Sequence, residues 1–289
     1  YVGNVIRPPS EARSLILQIT TGCSHNRCHF CGAYPQNFSV KPVTQVVEDL
    51  DWFVTHGYQR SRRLFLADGN ALIRKTPDLL AIIEKAKERF PKMRRVACYA
   101  NAHDILRKSE DDLLALHEAG LKVVYLGLES GDDEILTKMD KGATAAEMVE
   151  AVQKAQKIGI KASVIGLLGL AGAKKEASER HARLTATAIN QMQPRFISFL
   201  TVMVIPGTPL HESMERGEFV LPEPEACLQE LRLITSELDL ERSVFRANHA
   251  SNYLPLAGTM SRDKEKLLAT IDEALAGHIS LVPEFFRGL

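Results

Sequence analysis

Residues 14–32 read SLILQITTGCSHNRCHFCG, an apolar run that ends directly in a loop with three cysteines. The apolar run is largely continuous rather than alternating with polar residues, which is typical of a strand buried on both faces of a parallel sheet. Five further runs of this kind follow along the chain, at residues 62–67, 94–99, 122–128, 161–168 and 195–203. The six runs together predict a sheet of parallel strands.

Helical segments with start and stop signals lie between these strands. Pro42 begins one helix that ends at Gly57, and Ser109 begins another that ends at Gly120. Six βα units in succession, with no break in composition, predict an α/β fold. Because six units are fewer than the eight of a complete barrel, a partial barrel and an open doubly wound sheet both fit the pattern.

The composition excludes several classes of protein. The chain has 36 Lys and Arg residues against 36 Asp and Glu residues, so no global field favours nucleic acid or an anionic membrane. Basic residues at positions 60–63 and 92–95 precede strands, which predicts a solvated rim at the amino ends rather than an RNA site. No apolar run reaches the roughly 20 residues that span a bilayer, and the N-terminus shows no signal-peptide pattern. We therefore expect a cytoplasmic protein without nucleic-acid or membrane partners, while the first residue, Tyr1, leaves open whether an N-terminal portion is missing.

The three cysteines of the loop, Cys23, Cys28 and Cys31, are candidate metal ligands. Their loop follows the first strand, and parallel α/β proteins build active sites at the carboxyl ends of strands. Three thiolates can ligate three irons of a [4Fe–4S] cluster and leave the fourth iron open for catalysis. The alternative is a zinc site with His25 or His29 as the fourth ligand. We favour the cluster, because tightly spaced ligands without a second pair downstream make a poor zinc site.

The loop resembles the cysteine motif of the radical S-adenosylmethionine (SAM) superfamily, including the aromatic Phe30 before the third cysteine. The usual family spacing is CxxxCxxC, whereas this chain reads CxxxxCxxC. Residues 125–136 read YLGLESGDDEIL and are similar to the subgroup that contains methylthiotransferases, elongator-type enzymes and coproporphyrinogen dehydrogenase. The resemblance extends over about residues 14–210, and its elements occur in the family's order.

The resemblance implies a fold and a chemistry. The implied fold is a partial (β/α)6 barrel over residues 1–210, with residues 211–289 as a C-terminal extension that closes the barrel. The implied reaction is the one-electron reduction of SAM at a [4Fe–4S] cluster, which yields methionine and a 5′-deoxyadenosyl radical that abstracts a hydrogen atom. The implied partners are a small-molecule or peptide substrate and an electron donor such as flavodoxin or ferredoxin. The cofactor carries the reactivity, while the protein binds and orients it.

The resemblance also implies which residues contact SAM. Asp68 and Gly69 occupy the position of the family's GGE motif, whose backbone binds the methionine amino group. Glu129 and Ser130 would contact the methionine or the ribose. Contacts with adenine are expected from Ile165 at the fifth strand and from Val204 at the sixth. Asn101, a polar residue after the third strand, is assigned to the same pocket.

Four residues are candidates for contact with the substrate. Cys98 and Tyr99 end the third strand and could donate a hydrogen atom to a product radical, although Cys98 also fits the role of a small buried apolar residue. Residues 246–253 read RANHASNY, and we expect this polar segment to cover the open side of the barrel and to present His249 or Asn252. The alternative is a loop whose polar side chains bind their own backbone.

Two functions from different classes follow from these observations. The first is a radical SAM enzyme with one cluster, and the second is an iron–sulfur or zinc scaffold without SAM chemistry. The Glu129-Ser130-Gly131 stretch favours the enzyme, because a scaffold has no need for a SAM-binding strand end.

Overall fold

The computed structural model describes residues 1–288, in which strands and helices largely alternate. The strands are β1 (Leu15–Gln18), β2 (Thr20–Thr21), β3 (Ser39–Val40), β4 (Arg63–Ala67), β5 (Arg95–Tyr99), β6 (Leu121–Glu129), β7 (Lys161–Leu168), β8 (Phe196–Thr201), β9 (Val244–Ala247) and β10 (Leu256–Thr259). The helices are α1 (Val43–Thr55), α2 (Thr76–Arg89), α3 (Ala102–Arg107), α4 (Glu110–Ala119), α5 (Asp133–Lys138), α6 (Ala145–Lys157), α7 (Lys175–Met192), α8 (Pro209–Glu215), α9 (Pro224–Glu237) and α10 (Met260–Leu275).

Eight of the strands form one sheet, in the order β1-β4-β5-β6-β7-β8-β9-β10. The β1–β4, β4–β5, β5–β6, β7–β8 and β8–β9 pairs are parallel, and the last pair, β9–β10, is antiparallel. All six predicted strands are present, so the predicted α/β fold with a mostly parallel sheet is confirmed. Closure of the barrel by the C-terminal extension stays a prediction.

Local sequence signals explain where the helices begin and end. The Ser109 hydroxyl accepts a hydrogen bond from the Asp112 N–H at 3.0 Å, which completes a capping box at the start of α4. Gly120 follows α4 with a φ of +122°, a conformation that favours glycine. Thr144 accepts a bond from the Glu147 N–H at 3.2 Å and caps α6 in the same way. The start at Ser109 and the stop at Gly120 that the sequence predicts for one helix are therefore present at the two ends of α4.

The chain folds into two compact units. The first consists of Tyr1–Asn26, Ala33–Leu126 and Ala151–Ala162. In this unit an apolar cluster lies on one face of the sheet, and the rings of Tyr99 and Tyr125 meet Phe65 edge to face at centroid distances of 5.1 and 5.9 Å. The hydroxyl of Tyr125 donates to the fully buried Glu11 at 2.6 Å, so the polar end of the cluster is also satisfied.

The second unit consists of Arg27–Gly32, Gly127–Glu150 and the residues from Ser163 onward. Its helices α7 and α9 pack against each other, and α9 packs against α10. Buried apolar side chains from α5, β7, α8 and the segments near them form an apolar cluster in this unit; these are Ile135, Met139, Leu167, Leu170, Val202, Leu210 and Phe219. In residues 1–288 no helix is both long enough and apolar enough to cross a membrane.

Candidate active site

The cysteine loop lies between β2 and β3, and its residues belong to both units. Cys23, in the first unit, is half-buried and follows Gly22, whose φ is +69°. A Cβ atom at Gly22 would lie 2.8 Å from the Gln36 carbonyl oxygen, so this position requires glycine. Cys28 is half-buried and Cys31 is exposed, and both belong to the second unit.

The second half of the loop is anchored by backbone hydrogen bonds. The His29 N–H donates to the Met139 carbonyl at 2.9 Å, and the His29 carbonyl accepts from the Leu210 N–H at 3.0 Å. A Cβ atom at Gly32 would lie 2.7 Å from the Ile205 side chain, so the residue after Cys31 packs directly on the segment that follows β8. These contacts hold Cys28 and Cys31 beside the residues after α5 and β8.

The loop cysteines differ chemically from the other two cysteines. None of the five forms a disulfide. Cys98 and Cys227 are buried, and burial raises the pKa of each thiol to about 12, which disfavours the thiolate that metals bind. The loop thiols are at least partly accessible. Although residues 1–288 contain no group of three or more His, Cys, Asp or Glu side chains already arranged as a metal site, the loop thiols are the donors that fit an iron–sulfur cluster.

The end of β4 packs against Cys23. A Cβ atom at Gly69 would lie 2.9 Å from the Cys23 Cβ and 2.6 Å from the Tyr34 ring, so only glycine fits there. The adjacent Asp68 is fully buried, and its carboxylate accepts a hydrogen bond from the Gln18 amide at 2.9 Å. Burial raises the pKa of Asp68, and this effect outweighs the hydrogen bonds from Gln18 and other neighbours, which lower the pKa. Two predicted cofactor residues, Asp68 and Gly69, thus lie beside one predicted cluster ligand.

Asn70 joins three parts of the first unit and was not among the predicted site residues. Its amide nitrogen donates to the Ser24 hydroxyl at 2.8 Å and also to the Asp104 carboxylate. Its amide oxygen accepts from the Asn101 N–H at 3.3 Å. The cysteine loop is therefore linked to the segment after β5, and the predicted residue Asn101 takes part through its backbone.

Cys98 and Tyr99 end β5 on opposite faces of the sheet, as successive strand residues do. Tyr99 belongs to the aromatic cluster with Phe65, and burial raises the pKa of its hydroxyl. Cys98 lies outside that cluster and is almost completely buried, at 1% exposure. Their role as hydrogen-atom donors stays a prediction.

Glu129 and Lys141 form an ion pair in the second unit. The Glu129 Oε1 atom lies 2.9 Å from Lys141 Nζ, and the two side chains are only 12% and 16% exposed. Glu129 has a φ of +61°, and its carboxylate folds back over Gly127, where a Cβ atom would lie 2.0 Å from Oε1. Burial opposes the charge of Lys141, but the charges of Glu129, Cys28 and Cys31 outweigh it and raise the Lys141 pKa.

Lys141 is therefore a candidate site residue that could not be named from the sequence. It follows α5 in the stretch Met139-Asp140-Lys141-Gly142, where a lysine carries no pattern that separates it from a solvated surface residue. Lys141 lies twelve residues after Glu129, which ends a strand. This spacing becomes informative only when the tertiary structure shows that the two side chains form an ion pair.

The remaining predicted residues lie in the second unit. Ile165 is half-buried in β7, where it pairs with Ser198 of β8, and Val204 packs against the apolar core of this unit. Asn252 is bound to the carboxyl end of β8, because its side chain accepts from the Thr201 hydroxyl at 2.9 Å and donates to the Phe199 carbonyl at 2.8 Å.

His249 lies in the same polar segment as Asn252. Its Nδ1 atom lies 2.9 Å from the Ser251 hydroxyl and accepts from the Ser251 N–H at 3.1 Å. Burial lowers the pKa of His249, which favours the neutral ring. Because Nδ1 accepts the bond from the Ser251 N–H, the ring carries its proton on Nε2. The segment's polar groups thus bind local backbone and β8, and the Nε2–H group of His249 is the donor that these local bonds leave over.

The sequence features and geometry agree with comparisons to known proteins. The family model of the Radical SAM superfamily matches residues 17–185, which are more than half of the chain. The chain therefore belongs to the radical SAM superfamily. Members of this superfamily are enzymes that use a [4Fe–4S] cluster and SAM, and the chain is a radical SAM enzyme with these cofactors. The scaffold without SAM chemistry is therefore set aside.

Curated relatives are more distant. The heme chaperone HemW of Bacillus subtilis is 21% identical over 226 residues, which cover 75% of this chain and 58% of HemW. The GTP 3′,8-cyclase of Rhizobium leguminosarum is 26% identical over 152 residues, which cover 51% of this chain and 41% of the cyclase. The chain thus spans about half the length of the curated relatives that it matches.

Solved structures share the fold at low identity. Coproporphyrinogen III oxidase (HemN) of Escherichia coli superposes with a TM-score of 0.58 at 16% identity, covering 77% of this chain and 51% of HemN. Methylornithine synthase (PylB) superposes with a TM-score of 0.54 at 16% identity, covering 93% of this chain and 83% of PylB. The similarity to these proteins supports the partial-barrel fold.

Proposed function

We propose that this chain cleaves SAM reductively at a [4Fe–4S] cluster held by Cys23, Cys28 and Cys31, and that it acts on a small molecule or a peptide. When bound, the cluster and SAM supply the electron and the 5′-deoxyadenosyl radical that abstracts a substrate hydrogen atom. The electron comes from a donor such as flavodoxin or ferredoxin. The chain's own residues bind SAM, orient it and exclude water from the radical.

The Glu129–Lys141 pair is the observation that carries this proposal. It is a nearly buried pair of opposite charges, and the Lys141 ammonium lies within the electrostatic influence of Cys28 and Cys31. The methionine part of SAM carries one carboxylate and one ammonium group, so it presents the complementary pair of charges. Lys141 can donate to the carboxylate, and Glu129 can accept from the ammonium group or from a ribose hydroxyl.

The other predicted SAM contacts divide by chemistry. Gly69 lets the backbone after β4 lie directly against Cys23, since any side chain at this position would clash with it. Ile165 and Val204 offer apolar side chains suited to the faces of adenine. Asp68 and Asn101 act as polar groups that fix the ends of β4 and β5. These roles are proposals that each need a variant to test them.

The substrate class rests on charge and composition. The formal net charge is zero, and the basic residues within positions 60–63 and 92–95 lie at the amino ends of β4 and β5. An RNA substrate would need a basic surface near the reacting atoms. A small molecule or a peptide needs only a few polar groups, for which His249 and Tyr99 are the candidates.

Anaerobic reconstitution tests the proposal. The protein should bind about four irons per chain and, after reduction with dithionite, release 5′-deoxyadenosine from SAM. Cys23→Ala, Cys28→Ala and Cys31→Ala should each lose most of the iron, whereas Cys227→Ala, a change at a buried thiol, should keep it. Iron-replete, reduced protein that neither binds SAM nor releases 5′-deoxyadenosine would refute the proposal.

A further inference from the structure

The turn that follows Glu129 is bound by side chains of a single helix, α7. His181 Nδ1 lies 2.7 Å from the Ser130 hydroxyl, and the Thr185 hydroxyl accepts from the Gly131 N–H at 2.9 Å. Arg180 Nε donates to the Asp132 carboxylate at 2.7 Å. Three consecutive residues of the turn are thus each held by a different residue of α7.

Gly131 brings the two backbones into contact. A Cβ atom at this position would lie 2.2 Å from the Leu184 carbonyl oxygen and 2.4 Å from its carbonyl carbon. Because both of these atoms are backbone, no rotation of a side chain could relieve the clash. Glycine at position 131 therefore lets α7 lie directly against the turn, and this accounts for the glycine without any contact to a ligand.

The Ser130 hydroxyl is engaged by its own turn and by α7. It accepts from the Asp132 N–H at 2.9 Å, lies 2.7 Å from His181 Nδ1, and belongs to a fully buried residue. The hydroxyl thus joins the Asp132 N–H and the His181 ring. The side chain is therefore directed to α7.

On its other side, His181 faces Glu230 of α9. It is fully buried, and its Nε2 atom lies 3.5 Å from Oε1 of Glu230. Glu230 is also buried, accepts from the Gly169 N–H at 2.8 Å, and accepts from the Ser178 hydroxyl. A line of buried polar side chains thus runs from α9 through α7 to the turn after β6, in a place where apolar residues would pack more simply.

We propose that His181 is a positioning residue for SAM, which acts through Ser130 on the conformation of Glu129. The inference rests on the proposed function, because Glu129 is there assigned to SAM. Glu129 holds a left-handed φ of +61°, which residues other than glycine adopt only when their surroundings impose it. The bond from His181 to the next residue along the chain supplies such a constraint and keeps the Glu129 carboxylate at Lys141.

The experiment measures the dissociation constant of SAM in the cluster-loaded protein by anaerobic titration calorimetry. Ser130→Ala removes one hydroxyl without adding volume, and His181→Phe keeps a ring but removes both nitrogens. Each should weaken SAM binding about tenfold, the effect of losing one buried hydrogen bond, with iron content unchanged. His181→Asn, whose amide reaches the position of Nδ1, should restore most of the affinity. Arg183→Gln, on α7 but paired with the exposed side of Glu237, should bind SAM as the wild type does.

A double-variant cycle separates positioning from simple support of the fold. If His181 acts through Glu129, then Ser130→Ala should weaken SAM binding in the wild type but have little further effect in Glu129→Gln. Undiminished SAM affinity in Ser130→Ala, or an undiminished loss in the Glu129→Gln background, would overturn the inference while the proposed function stands. Wild-type protein that holds about four irons but binds no SAM would overturn both together.

Discussion

At the scale of single residues, the loss of either Lys141 or Glu129 should be costly for its partner. Their ion pair is nearly buried, so the removal of one partner leaves the other charged in a place where water cannot solvate it well. An exposed ion pair such as that of Arg183 and Glu237 has little energetic importance by comparison.

Lys141→Met should raise the dissociation constant of SAM at least about tenfold, because a charge-assisted hydrogen bond and its partner are lost together. Iron content should stay unchanged, since the thiols remain. Lys138→Met, at an exposed lysine three residues earlier, is the matched control and should bind SAM normally. The comparison of the two variants by titration with SAM decides the matter, and equal affinities would contradict the assigned role.

His249 should make stability depend on pH. Burial lowers the pKa of the folded-state imidazole below its ordinary value of 6.5, so below about pH 6.5 the unfolded chain takes up a proton that the folded chain does not. The contribution to the free energy of unfolding is complete above the unfolded pKa and is lost as the pH falls through the lowered folded pKa. A fall from about pH 8 to pH 5 should therefore lower the free energy of unfolding of the wild type more than that of His249→Gln, as measured by urea unfolding at each pH. Parallel curves for the two proteins would show that the group titrates normally.

At the scale of the secondary-structure elements, the strands with continuous apolar runs could be read from the sequence, and the short ones could not. All six predicted strands occur within a few residues of their predicted bounds. The strands β9 and β10 were missed because each has only four residues, too few to show a period. Arg246 and Ala247, which the sequence places in a polar loop, lie in β9, and their backbone pairing is set by β8 and β10.

The site shows the same limit. The cysteines and the glutamate at the end of β6 carry recognisable local patterns, so they could be named from the sequence. Lys141, Asn70 and His181 could not, because their importance comes from contacts with residues that are 12, 46 and 51 positions away in the chain. A buried polar side chain looks like an exposed one until its partners are known.

The contact between Gly131 and α7 should be sensitive to one added methyl group. In Gly131→Ala the new Cβ would meet the Leu184 carbonyl, and the resulting shift of α7 should lower the free energy of unfolding by about 2 kcal/mol. Gly217→Ala is the control, because no atom lies within 4 Å of its added Cβ and only its φ of +71° is unfavourable, at about 1 kcal/mol. Urea unfolding of the two variants measures the difference, and equal losses would mean that α7 yields easily.

At the scale of the whole molecule, the sheet continues past the predicted end of the barrel. The sequence reading divides the chain at residue 210, and this division stays a prediction. In the structure β9 and β10 extend the sheet beyond β8, and β10 turns antiparallel at its edge. The segment after residue 210 thus contributes strands to the sheet, as well as the helices α9 and α10 that pack on each other. A short last strand and a covering helix, here β10 and α10, are common ways to protect the edge of a sheet.

Binding of SAM should stabilise the folded chain by mass action. A ligand that binds only the folded state, at a free concentration of 100 times its dissociation constant, adds about 2.7 kcal/mol to the free energy of unfolding. The cluster-loaded wild type should gain this amount in anaerobic urea unfolding with SAM. Lys141→Met at the same SAM concentration should gain roughly half of it, because a tenfold weaker site is only about tenfold oversupplied. A full gain in Lys141→Met would mean that SAM binds without the Glu129–Lys141 pair, and no gain in the cluster-loaded wild type would mean that SAM does not bind the folded chain.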